Sequence, residues 1–104
     1  MDLSKANNAE VVQLPSSTVA LAVTVDSSIT ASTEVTLNSA TNFIQVDAVS
    51  GGVYLKYNGT ASASSFDEYI QSGGTIHRFL GEDIASIQVI EEASGAKAII
   101  IEKA

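Results

Sequence analysis

A chain of 104 residues with five Lys and Arg against twelve Asp and Glu, a net charge of −7, is poorly suited to neutralising nucleic-acid phosphates or an anionic membrane surface. With no cysteine it forms no disulfide, no thiolate metal site and no cysteine nucleophile. Charged residues make up only 16% of the chain. Ser, Thr and Asn replace them, leaving a neutral, hydrogen-bonding surface suited to packing against other protein.

The chain opens Met1-Asp2-Leu3-Ser4-Lys5-Ala6-Asn7-Asn8, with an acid and several amides where a signal peptide has a basic start and an apolar run. The apolar stretch from Val19 to Val25 is too short to cross a bilayer. The expectation is a protein made soluble in the cytoplasm. The only proline, Pro15, divides an N-terminal arm, residues 1–15, from a single domain, residues 16–104. The arm ends in Val11-Val12-Gln13-Leu14, an apolar cluster that an isolated tail does not keep in water. With Leu3, the residues Val11, Val12 and Leu14 are candidate protein-interface positions, ordering against a partner or against their own domain.

Beyond the arm the periodicity is that of strands. Val19, Leu21, Val23 and Val25 alternate with Ala20, Ala22 and Thr24, so the large side chains are expected to face the core. Val35 and Leu37 alternate with Glu34, Thr36 and Asn38. Ile44, Val46 and Ala48 alternate with Phe43, Gln45 and Asp47, and Val53, Leu55 and Tyr57 with Tyr54 and Lys56. Segments 75–80, 86–91 and 96–102 follow. The last holds Ile99-Ile100-Ile101, a run without alternation that reads as a strand covered on both faces. The expected core includes Leu21, Val23, Leu37, Val46, Val53, Leu55, Ile87, Val89 and Ile100.

Turn signals separate these segments: Asp26-Ser27-Ser28, Ser50-Gly51-Gly52, Asn58-Gly59, Ser72-Gly73-Gly74, Gly81-Glu82-Asp83 and Ser94-Gly95. Ser94-Gly95 reads as a hairpin turn. Ser65-Phe66-Asp67-Glu68 fits a capping box, but the alternation of Phe66, Glu68 and Ile70 favours a strand or extended loop. The class that follows is all-β: a β-sandwich or jelly-roll of about seven or eight short antiparallel strands.

No residue pattern for catalysis, cofactor binding or metal ligation emerges. His77, the only histidine, shares a strand face with Phe79, and no serine stands in a G-x-S-x-G elbow. The acidic doublets Asp67-Glu68, Glu82-Asp83 and Glu91-Glu92 point to opposite faces when on strands, and none has calcium-loop spacing. Asn58-Gly59-Thr60 matches a glycosylation sequon and reads more simply as a turn. The aromatics Phe43, Tyr54, Tyr57, Phe66, Tyr69 and Phe79 are expected mainly in the core, the alternative being a sugar-stacking platform. The expectation is a protein that is not an enzyme and takes no cofactor.

The stretch 42–103 resembles small structural proteins of tailed-bacteriophage particles, of the capsid decoration or cement type. The resemblance rests on Phe43-Ile44-Gln45-Val46, Gly52-Val53-Tyr54-Leu55-Lys56-Tyr57 and Phe66-Asp67-Glu68-Tyr69-Ile70 with Gly73-Gly74. It continues through Ser86-Ile87-Gln88-Val89-Ile90 and Ala98-Ile99-Ile100-Ile101-Glu102. It implies a sandwich or jelly-roll in a particle shell, located in the virion after synthesis in the host cytoplasm. The implied partners are the major capsid protein or another virion protein, and further copies of itself as a homotrimer, with no nucleic acid and no membrane. A tail, fibre or head–tail joining component, and a carbohydrate- or receptor-binding module, are the alternatives.

Overall fold

A computed structural model of the chain describes residues 20–104. Among them the alternating segments form eight strands. These are β1 (Ala22–Asp26), β2 (Thr33–Thr36), β3 (Phe43–Val49) and β4 (Val53–Tyr57), then β5 (Glu68–Ile70), β6 (Thr75–Phe79), β7 (Ser86–Glu91) and β8 (Lys97–Lys103). They make two four-stranded antiparallel sheets, ordered β1-β8-β3-β6 and β2-β7-β4-β5. The fold is therefore all-β, and the ambiguous segment near Ser65 holds the short strand β5 where the capping-box pattern offered a helical turn.

One hydrophobic core lies between the sheets. Ile44, Val46, Ala48, Ala98 and Ile100 line it from the first sheet, and Val35, Val53, Leu55, Ile70, Ile87 and Val89 from the second. Seven of the nine expected core residues are buried: Leu37, Val46, Val53, Leu55, Ile87, Val89 and Ile100. Leu21 and Val23 are not. Leu21 is 40% exposed and Val23 and Val25 are each 59% exposed, so β1 is turned opposite to the expectation. Antiparallel pairing with β8 sets Val23 against Ile101 and Thr24 against Ile100. Directly paired residues share a sheet face, so with Ile100 in the core, Thr24 faces inward and Val23 outward. Because β8 is apolar on both faces, alternation along β1 alone does not reveal which face wins.

Ser94-Gly95 does turn the chain, with Gly95 at φ 94°, yet it makes no hairpin. The strands it joins, β7 and β8, lie in different sheets. Ile87 and Val89 on one side and Ala98 and Ile100 on the other form opposite walls of the core, so the connection crosses the sandwich. Asn58-Gly59 behaves as the turn expected. Asn58 takes φ 52°, its Nδ2 donates to the Asp83 carbonyl (2.7 Å), and its Oδ1 accepts from the Ala85 and Ser86 amides.

Candidate functional site

The pleat that points Val53 and Leu55 inward points Tyr54 outward, and β4–β5 pairing sets Tyr69 directly opposite it. Phe66, in the connection before β5, joins them: the Tyr54 ring centroid lies 4.7 Å from Phe66 and 5.2 Å from Tyr69. Phe66 and Tyr69 are exposed, which corrects the expectation that these rings fill the core. The Tyr69 hydroxyl donates to Glu92 Oε1 at 2.6 Å, and that hydrogen bond raises the Tyr69 pKa. Beneath the pair sits Gly52, where a Cβ would collide with the Tyr69 ring and hydroxyl and with the Glu92 carboxylate. The glycine lets the ring lie close against the sheet and holds its remaining surface toward solvent. Period-2 alternation of β4 already carries the signal for this cluster, in Tyr54 lying out of phase with Val53 and Leu55.

The other sheet has its own outer apolar surface. Val23 and Val25 on β1, with Leu21 just before the strand, lie beside Ile99 and Ile101 on β8, while β3 and β6 continue the same face with Gln45, Asp47, Thr75 and His77. At one end Phe43 packs edge-on against the exposed Phe79, centroids 4.8 Å apart, and His77 lies 6.1 Å from the Phe43 ring. Phe79 too was expected inside and is outside. The arm positions Leu3, Val11, Val12 and Leu14 lie outside the described residues.

Comparison with protein families, curated proteins and solved structures returns no match for this chain.

The charged groups tie strands together. Arg78 on β6 makes a bidentate contact to Glu68 on β5, Nε to Oε2 at 2.5 Å and Nη2 to Oε1 at 2.9 Å, so one edge of each sheet is linked to the other. The Tyr57 hydroxyl also donates to Glu68 (3.0 Å). Arg78 pulls the Glu68 carboxyl below the usual carboxylate range, while burial, then Glu68, pushes the Tyr57 phenol up. A lowered carboxylate pKa contributes stability above its unfolded value, and the contribution is lost as pH falls through the folded value. Asp67 accepts from the Tyr57 amide (2.9 Å) and lies 3.8 Å from Lys56. Between the β2–β3 and β6–β7 connections lies a depression of about 510 Å³, walled by Leu37, Asn38, Thr41, Leu80 and Ile84. Among the described residues no three His, Cys, Asp or Glu side chains converge on one point.

Asp26, at the inward-facing end of β1, has the opposite sign from Glu68. Its Oδ2 is buried without a hydrogen-bond partner among the described residues, and desolvation raises its pKa. A raised carboxylate pKa favours the fold below the unfolded value, and the advantage disappears as pH rises through the folded value. Asp26→Asn is therefore expected to stabilise the protein at neutral pH by at most about 1 kcal/mol, since the side chain is only partly buried. The gain should shrink on acidification, which paired urea titrations of both proteins at neutral and acid pH would measure.

Proposed function

We propose that this chain is a non-enzymatic structural protein of a virus particle, a capsid decoration subunit that bridges neighbouring copies of the major capsid protein. The observation that carries the reading is the Tyr54–Phe66–Tyr69 cluster, exposed on a sheet face and anchored by Gly52 and Glu92. Tyrosine and phenylalanine are enriched where proteins meet, because they bury large area at small entropic cost. Charged residues make up only 16% of the whole chain, so few charges need be stripped of water in a contact.

We read the two sheets as a jelly-roll. The supporting feature is the pairing of β1 with β8, β2 with β7, β3 with β6 and β4 with β5. That is the pattern of one long antiparallel hairpin wrapped around a core, an architecture used in viral shells and in lectins. A fold of this kind carries many functions, so the exposed surface distinguishes one role from another.

A decoration subunit gains from repetition: many identical weak contacts add, so each need contribute only a little for the lattice to resist expansion. Self-association into a homotrimer would multiply those contacts, and Leu3, farthest along the arm, is a further contact position. The test is a comparison of particles with and without the protein, with its stoichiometry measured by mass spectrometry. High copy number, earlier bursting of particles that lack it, and reduced attachment of a Tyr69→Ala variant are expected. Low copy number with equally robust particles would replace this reading by a tail or joining component. Glycan binding that Tyr69→Ala abolishes would favour the carbohydrate- or receptor-binding module, which the same exposed rings also suit.

A further inference from the structure

β1 is exposed in two senses. It stands at the end of the sheet order β1-β8-β3-β6, so one backbone edge has no neighbouring strand among the described residues. Its outer side chains Val23 and Val25, and Leu21 just before it, are exposed, and they extend the apolar surface of Ile99 and Ile101. An open edge joined to an aliphatic face is the feature that makes sheets associate without control, and folded proteins cover it. The opposite half of the same face needs no cover. Along one row Val23 and Ile101 give way to Gln45 and His77, and along the next Val25 and Ile99 give way to Asp47 and Thr75.

Size narrows the choice of occupant. Five partly exposed aliphatic side chains present a few hundred Å², close to the largest patch on an ordinary monomer and short of the ~800 Å² each partner gives a stable dimer. A short segment fits better than a second domain. Position narrows it further. The chain ahead of the described residues runs 1–19 and enters at Ala20, directly before the exposed strand. Its apolar run Val11-Val12-Gln13-Leu14 is separated from that entry by residues 15–19, about 17 Å of chain when extended. Pro15-Ser16-Ser17 has the chemistry of a reversing turn, with proline suited to its second position. Glu10, just ahead of the run, is opposite in charge to Lys97 and Lys103 at the two ends of β8.

We propose that residues 11–14 of the same chain fold back on β1, closing its open edge and covering Leu21, Val23 and Val25. This goes beyond the decoration reading and holds whether or not the chain joins a particle. It assigns Val11, Val12 and Leu14 an intramolecular partner and leaves the aromatic face of the other sheet for contacts with neighbours.

The absence of native cysteine allows a clean test in the full-length protein. Val11→Cys, Val12→Cys and Leu14→Cys are each combined with Val23→Cys, or with His77→Cys as the control. Both target positions are exposed on the same sheet face, and they lie three strands apart, roughly 14 Å. Within-chain disulfide formation to position 23 is expected to be at least about tenfold faster than to position 77 for one or more arm positions, through higher effective concentration. Val12→Ser combined with Leu14→Ser, without engineered cysteines, should speed hydrogen exchange of the β1 amides and leave β4 and β7 unchanged. Equal rates to positions 23 and 77 would overturn the proposal. So would disulfides formed only between mass-tagged copies, which would make the occupant a second chain.

Discussion

Leu55→Ala is expected to destabilise the protein by about 2–5 kcal/mol, the range for a large aliphatic side chain removed from a packed core. Leu55 is completely buried, and its central strand β4 is flanked by β7 and β5. Directly opposite it stand Val89 on β7, also fully buried, and Glu68 on β5. Neighbours held in two ladders cannot collapse into the space left by an isobutyl group, so a cavity persists and the cost lies above the transfer free energy alone. Against a total of about 5–15 kcal/mol for a domain of this kind, such a loss removes much of the margin. Urea titration at constant m-value measures it. A change below about 0.5 kcal/mol would mean that Leu55 is a surface residue and that the β4 register is wrong.

The second large effect is expected at Glu102, a carboxylate only 2% exposed on the inward face of β8. Its Oε1 accepts from the Asn38 amide and from the Thr41 hydroxyl, each at 2.7 Å. Through these bonds β8 holds the connection between β2 and β3, which passes from one sheet to the other. Glu102→Ala would strand both donors and leave a void, at an expected cost of about 2–4 kcal/mol. Glu102→Gln keeps an acceptor oxygen in the same place and should lose clearly less. Equal losses in the two variants, measured by denaturant unfolding, would show that the charge and not the acceptor geometry matters here.

Much of this architecture is legible along the chain. Val35 with Leu37, Ile44 with Val46, Val53 with Leu55 and Ile87 with Val89 each reveal a strand and its buried side, because most of their alternating neighbours are polar or aromatic and lie on the outer face. Asn58 likewise announces a turn through a local conformation and local hydrogen bonds. Glu102 was not legible as a core residue. Its acid type predicts the surface, and its acceptors' partners, Asn38 and Thr41, are more than 60 positions away in the chain.

Residue order along 20–104 is enough to show short strands with turns between them, which side chains of a strand share a face, and that cysteine chemistry plays no part. Those properties are local: the pleat, the turn geometry and the residue inventory need no partner strand. Strand pairing and packing set the rest: which face of β1 turns outward, the separation of β7 and β8 at Ser94-Gly95 into opposite sheets, and the gathering of Tyr54, Phe66 and Tyr69 on one surface. The physical reason is common to all three. Alternation divides a strand into two faces without saying which one meets the core, and that choice belongs to long-range pairing. For β1 it was made by the register with Ile100, a residue whose own strand is apolar on both sides.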